Sequence, residues 1–283
     1  MKYVVAVSGG VDSVVLLHMM SELQKTSPDL KLVVAHVDHG IRDDSDTDAW
    51  HVATLAKGYG LPFELTRLRL GDDPSEETAR DARYAWLESV RAKHHADGIV
   101  TAHHQDDQLE TIALNIGRGT GWRGLASLRT SDEKYRPLLG VSKASIVRYA
   151  IDNGLVWRED STNDSLKYMR NYIRHAVIPK LTPAARQRLA GLATEQRELR
   201  EKIEAEVAKV LEGVRDEVGL SRHQLIMMPD AVALEVLREA TKGRHEPFQM
   251  RRLLHFVKTG RQGSILQLGK GKNALLTRQR VIV

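Results

Sequence analysis

The run Ser8-Gly9-Gly10-Val11-Asp12-Ser13 carries the densest chemistry in the chain. It leaves a short apolar stretch, Tyr3–Val7, and enters a helical pattern that begins at Asp12. Two adjacent glycines let backbone N–H groups curl into a concave anion nest, and a helix N-terminus adds partial positive charge to it. Ser8 and Ser13 offer hydroxyls, and Asp12 suits a Mg²⁺ ion held against phosphates. The pattern Gly-x-x-x-x-Gly-Lys-Ser/Thr is absent, so this is not the ordinary phosphate loop. A tight turn with a serine cap is the plain alternative. A lone Gly-Gly pair would favour that turn, but six such residues at the end of a strand favour the nest.

A second concentration is Thr101-Ala102-His103-His104-Gln105-Asp106-Asp107-Gln108-Leu109-Glu110-Thr111. Successive helical positions advance by about 100°, which puts His103, Asp107 and Glu110 on one face. Leu109, Ile112, Ala113 and Ile116 fall on the opposite face and are expected to pack on a sheet. The polar face then looks into the crevice beyond the strand ends. Two carboxylates there could bind a divalent metal with histidine, or grip an ammonium and accept its proton. His103 and His104 individually could serve only as a hydrogen-bonded helix start. Asp38 stands between two histidines at the end of another apolar run, as a ligand-facing group or a turn cap. Arg80 and Arg83, three apart on a helical pattern, can neutralise charge developing on phosphate or pair with Glu77 and Asp81.

These groups need a frame. Tyr3–Val7, Leu32–Val37, Pro62–Leu68 and Gly98–Ala102 read as strands, while Asp12–Lys25, Ala49–Tyr59, Ser75–His94 and Gln105–Gly117 read as helices. Four alternations predict an α/β domain with a mainly parallel sheet, whose ligands lie beyond the carboxyl ends of the strands. Thr182-Pro183 is an N-cap followed by a proline at the first helical position. The helical pattern from there runs to about Val214, with Leu189, Leu192, Leu199, Ile203, Val207, Val210 and Val214 as its apolar stripe. Helices at Met228–Ala240 and Pro247–Val257 follow, then short strands Ser264–Leu268 and Ala274–Arg278 around Gly269-Lys270-Gly271-Lys272-Asn273. The expected domains are 1–182, a nucleotide-binding domain, and 183–283, mostly helical and ending in short strands.

Charge separates along the chain. Residues 1–117 hold 11 basic and 19 acidic side chains, a net −8, whereas residues 118–283 hold 31 and 18, a net +13. A basic half beside an acidic one suggests a polyanion-binding surface. The 283 residues contain no cysteine, which excludes disulfides, thiolate zinc, iron–sulfur clusters and sulfur carried as a protein persulfide. No apolar run approaches the roughly 18–20 residues of a membrane helix, and Lys2 alone makes no signal-peptide start. A cytoplasmic protein without membrane partners is expected.

Ser8–Ser13 resembles the loop of the PP-loop ATPases, which bind ATP and release pyrophosphate by attack at its α-phosphate. Further stretches narrow the resemblance. They are His36-Val37-Asp38-His39-Gly40-Ile41-Arg42, Glu77-Thr78-Ala79-Arg80-Asp81-Ala82-Arg83-Tyr84, the His103–Thr111 run, Arg118-Gly119-Thr120-Gly121, Arg136-Pro137-Leu138, Glu159-Asp160-Ser161-Thr162-Asn163 and Tyr168-Met169-Arg170-Asn171-Tyr172-Ile173-Arg174. In this order they resemble the tRNA(Ile)-lysidine synthetases, closely over residues 1–182 and more weakly to Val283.

The resemblance implies ATP as substrate with Mg²⁺, free L-lysine, and an isoleucine tRNA with a CAU anticodon. The wobble cytidine would be adenylated and then attacked by lysine's ε-amine at C2, giving lysidine. It implies ATP binding by Ser8, Gly9, Gly10, Val11, Asp12 and Ser13, with Asp12 toward Mg²⁺. It implies catalytic roles for Asp38, Arg83, Asp107 and Glu110, and tRNA or phosphate contacts from Arg118, Arg170, Asn171 and Arg174. A solvated helix face is the alternative for the last three. A tRNA thiolase of the same superfamily needs cysteines that this chain lacks.

Overall fold

The computed structural model describes residues 1–38, 45–68, 75–126, 128, 133–158, 169–242, 247–269 and 272–283. Its contacts divide the chain into two compact units, Met1–Arg197 and Glu198–Val283.

The first unit alternates strand and helix as the hydrophobic runs predict: β1 (Lys2–Ala6), α1 (Val11–Thr26), β2 (Lys31–Asp38), α2 (Ser45–Gly58), β3 (Phe63–Arg67), α3 (Glu76–Lys93), β4 (Gly98–Val100) and α4 (Gln105–Gly117). Then come α5 (Trp122–Leu125), β5 (Lys134–Tyr135), α6 (Lys143–Asp152) and α7 (Met169–Tyr172). A π-helical turn (Ile173–Val177), a 3₁₀ turn (Ile178–Lys180) and the start of α8 (Pro183–Val214) complete it. The five strands pair in parallel in the order β3-β2-β1-β4-β5. A parallel sheet covered by helices on both faces buries both faces of its central strands. In β1, Val5 packs with Val15, Leu16 and Ile146, and its neighbour Val4 packs on the other side with Leu87 and Val90.

Strand order reverses between β1 and β4, and a crevice opens beyond the carboxyl ends of such a pair. The turn after β1 is Ser8–Gly10, and the segment after β4 carries His103 and His104. Both chemical concentrations therefore meet at the switch point. Ser75 caps α3 by accepting from Thr78 N at 3.1 Å, and Ser142 caps α6 by accepting from Ser145 N at 3.2 Å. Strand β5 and α6 have no counterpart in the alternation read from sequence. The strand is two residues long, and Ile146 and Ala150 of α6 complete the core against α1.

One packing expectation is corrected. Leu109 of α4 lies in a cluster with Ile173 and Ile178, joined by Ala113 and Leu189, instead of on the sheet. Ile116 is 56% exposed. The turns that follow α7 cover the helix face that the sheet was expected to cover.

The second unit comprises the rest of α8, β6 (Leu220–Ser221), α9 (Arg222–Met227), α10 (Asp230–Thr241), α11 (Pro247–Thr259), β7 (Ile265–Gly269), β8 (Lys272–Leu276) and β9 (Arg280–Ile282). Its strands form an antiparallel sheet ordered β6-β9-β8-β7, packed on Leu225, Leu237, Met250, Leu253 and Val257. The first core takes Leu189 and the second takes α8 from Ile203 onward, so Leu192 and Leu199 of the predicted stripe stay exposed. The contact division falls about four turns into α8, whereas the sequence reading sets the boundary at its first turn. Lys270 and Gly271 of the predicted turn lie outside the described residues.

Candidate active site

The loop after β1 is organised by one hydroxyl. Ser13 Oγ accepts from Ser8 N at 3.1 Å and Gly9 N at 3.2 Å, and donates to Gly10 O at 2.9 Å. Gly9 sits at φ +95°, a left-handed conformation that glycine adopts without strain. Ser13 is thus the template of the loop and points inward. Val11 and Asp12 stand at the first helical positions of α1, where backbone N–H groups have no intrahelical partner. Those donors, at the positive end of the helix dipole, are suited to an anion. Arg158 N donates to Gly9 O at 3.0 Å and so braces the loop from outside.

Asp12 has two basic neighbours. Lys143, the first residue of α6, places Nζ 2.6 and 2.7 Å from its two carboxylate oxygens. His104 Nε2 lies 3.7 Å from Asp12 and 3.5 Å from Asp107. The His104 ring accepts from Asp106 N at Nδ1, which leaves Nε2 to carry the proton between the two carboxylates. Burial opposes charge on Asp12, but the His104 and Lys143 hydrogen bonds outweigh it and hold its pKa below the usual value. Burial likewise opposes charge on His104, and the bond to Asp12 with the fields of Asp107 and Asp12 raises its pKa nonetheless.

Asp107 also closes the cap of α4, accepting from His104 N at 3.0 Å. Glu110, with 2% of its side chain exposed, is enclosed by two arginines. Arg174 donates to it at 2.6 and 3.0 Å, and Arg170 at 3.0 Å. The same guanidinium groups reach Asp107 at 3.4 Å from Arg174 and 3.6 Å from Arg170. Glu110 is saturated with short charge-assisted bonds, and Asp107 is held loosely. His103, bonded to Thr101 Oγ1 at 2.8 Å, is pushed down to about 3, first by burial and then by the fields of Arg136, Arg83 and Arg170 against that of Asp107. It is a neutral ring among cations.

Of the other predicted residues, Asp38 is buried at the end of β2, where Arg67 Nε binds it at 2.6 Å. Nearby, His36 Nδ1 donates to Val7 O at 2.7 Å, tying β2 to the last residue before the loop. Arg83 and Arg80 both lie over the Tyr84 ring, at 5.6 and 5.8 Å. Arg118 caps the end of α4 and is exposed; Asn171 lies in α7. His39–Arg42, Glu159–Asn163 and Tyr168 lie outside the described residues.

The structure therefore joins Asp12, Asp107 and Glu110 through His104, Lys143, Arg170 and Arg174. Sequence reading gave Lys143 no role and treated His104 as a helix start. The Ser142 cap just before Lys143 was the available signal for a helix there, but its 131-residue separation from Asp12 was not readable. Among the described residues no group of three His, Cys, Asp or Glu side chains is arranged to hold a metal ion. One carboxylate with phosphate oxygens and water suffices for Mg²⁺; Asp12 is such a carboxylate, and Lys143 occupies both of its oxygens in this structure.

A parallel 3-2-1-4-5 sheet with an anion nest at its switch point defines the class. The chain belongs to the PP-loop domain family, which matches over residues 1–181. The curated relatives carry a more particular name. The chain is similar to the tRNA(Ile)-lysidine synthase of Pseudomonas aeruginosa, 35% identical over 249 residues, 85% of this chain and 56% of that protein. It is 40% identical to that of Exiguobacterium sibiricum over 181 residues, 62% of this chain and 42% of that protein. It is 36% identical to that of Thermotoga maritima over 223 residues, 74% of this chain and 52% of that protein. The chain spans about half the length of the curated relatives it matches. In fold it resembles the U34-tRNA thiolase NcsA from Methanococcus maripaludis, with TM-score 0.58 and 19% identity over 70% of this chain and 72% of that one.

Three outcomes follow from this geometry. Glu110→Gln leaves two arginines around a neutral amide. It should lower stability by about 2–3 kcal/mol in urea denaturation, below the roughly 3–5 kcal/mol for a fully buried pair because water reaches both arginines. Asp107→Asn, which can still accept from His104 N, should lower it by about 1 kcal/mol or less. The raised His104 pKa gives a pH signature. The ring's stabilisation is complete below its unfolded pKa near 6.5 and fades as pH rises through the higher folded value. The melting-temperature gap between the parent and His104→Gln should be widest below about pH 6.5 and shrink at alkaline pH.

Proposed function

We propose that this chain ligates free L-lysine to C2 of the wobble cytidine in a CAU-anticodon isoleucine tRNA, through an adenylated tRNA intermediate, and releases AMP and pyrophosphate. The supporting observation is that the phosphate nest and the carboxylate pair of α4 are linked by His104, so activation and amine attack can share one crevice.

In this reading ATP lays its phosphates on the Val11 and Asp12 N–H groups. Asp12 would hold a Mg²⁺ ion bound with the phosphates, and the ion would supply positive charge against the leaving pyrophosphate. Lys143, adjacent to Asp12, is placed to transfer its ammonium to the same phosphates. Cytidine O2 attacks the α-phosphate, with Arg83 available for the charge that develops. The lysine ε-ammonium must then lose its proton, since its pKa starts near 10.4. Asp107 takes that role, because its contacts at 3.4–3.6 Å leave capacity to hold an ammonium. Glu110 fixes Arg170 and Arg174 and acts as a positioning residue. Asp38 places the nucleotide or the amine. Arg118 and Asn171 contact tRNA phosphate, while Arg170 and Arg174 are committed to Glu110. Residues 1–182 carry the chemistry and residues 183–283 add tRNA affinity, in the cytoplasm. Among the described residues no helix is long and apolar enough to cross a membrane.

The direct test is nucleoside analysis after incubation of the chain with ATP, Mg²⁺, labelled lysine and a CAU-anticodon isoleucine tRNA; absence of lysidine overturns the proposal. Half-reactions then separate the roles. Asp12→Ala should abolish both pyrophosphate release and lysine transfer. Asp107→Asn should keep pyrophosphate release and lose lysine transfer by roughly 10²-fold or more, the scale of a lost acid–base group. Equal loss of both steps in Asp107→Asn would move the lysine site elsewhere.

A further inference from the structure

Charge in the second unit is unevenly placed. Residues 198–246 hold eight Lys and Arg against eleven Asp and Glu, whereas residues 247–283 hold eight Lys and Arg and no acidic residue at all. Helix α11 opens this acid-free segment. Its Met250, Leu253, Leu254 and Val257 are buried in the unit's core, which directs Phe248, Arg251, Arg252 and His255 outward as one stripe at spacings of three and four. All four are exposed, Phe248 by 68%. Arg252 lies 5.8 Å over the Phe248 ring. Lys258, further along, is paired with Asp230, but Arg251 and Arg252 have no acidic partner among the described residues.

A single exposed phenylalanine is ordinary. An exposed ring flanked by two adjacent unneutralised guanidinium groups, on a segment without acids, is a platform for nucleic acid. The guanidinium groups meet phosphates, and the ring offers a face on which an unpaired base stacks. We propose that this face of α11 is an RNA-docking surface, with Arg251 and Arg252 on the backbone and Phe248 under an unpaired base. It rests on the reading of the chain as a tRNA-modifying enzyme and assigns part of the tRNA contact to a defined surface. An unpaired base also separates the partner from a uniform duplex, whose bases offer no free face.

The test uses the full chain and a CAU-anticodon isoleucine tRNA transcript, with binding measured across a salt series. Arg251→Ala/Arg252→Ala should weaken binding and reduce the slope of log affinity against log salt by about 1.4–1.8, two phosphate contacts' worth. Arg251→Lys/Arg252→Lys should restore most of the slope. Phe248→Ala should weaken binding about fivefold or more with an unchanged slope, and Phe248→Trp should rescue it. Unchanged slope and affinity in the arginine variants overturn the assignment. So does equal Phe248 dependence on a blunt RNA duplex, or loss of binding to phosphatidylglycerol vesicles with tRNA binding intact. If the parent binds tRNA through this face but forms no lysidine, the enzymatic reading fails alone. If it forms lysidine and the variants keep the parent KM for tRNA, the docking surface fails alone.

Discussion

Glu110 holds a negative charge where water reaches 2% of its side chain, and a carboxylate so placed is stable only where opposite charge and hydrogen bonds replace its hydration. Arg170 and Arg174 supply both. To reach Glu110 they bring residues 169–180 down onto α4, and Ile173 and Ile178 of that segment then cover Leu109. The orientation of α4 follows, and with it the placement of Asp107 under His104 N and of His104 toward Asp12. The π-helical turn at Ile173–Val177 lies in the same segment; such turns occur frequently at functional sites.

The same electrostatics reinterprets the division of charge along the chain. Residues 1–117 are net negative and the remainder net positive, which suggests an external polyanion surface. Part of that complementarity is used inside the first unit. Lys143 closes on Asp12, Arg158 on Asp48, and Arg170 and Arg174 on Glu110. Each pair joins an acid from the first 117 residues to a base from beyond them. The sign difference is therefore in part a record of folding, and residues 247–283 carry eight Lys and Arg with no acidic residue of their own.

The loop Ser8–Ser13 shows how a short run can be both self-organised and dependent on distant residues. Ser13 Oγ and the left-handed Gly9 shape the loop with local bonds alone. Its charge state is set from elsewhere, by Lys143 on α6 and His104 after β4, and its rear is held by Arg158. Local chemistry shapes the nest and tertiary contacts tune it.

Period and punctuation in the sequence were enough for the alternation of strands and helices, for α4 at Gln105–Gly117 and for α8 from Pro183 to Val214, because buried parallel strands and capped helices write themselves into hydrophobic spacing. They were enough also to single out Ser8–Ser13, Asp107 and Glu110, since residue type and a 100° step need no partner to be read. Strand β5 was too short to have a period. The face of α4 that Ile173 covers was assigned to the sheet, because helical spacing gives the direction of an apolar face and not what fills it. Lys143, His104, Arg170 and Arg174 took their places only when the chain closed. Ion pairs form between residues 60 or more positions apart, and what selects them is the demand of a buried charge for compensation, a property of the folded interior that no local spacing encodes.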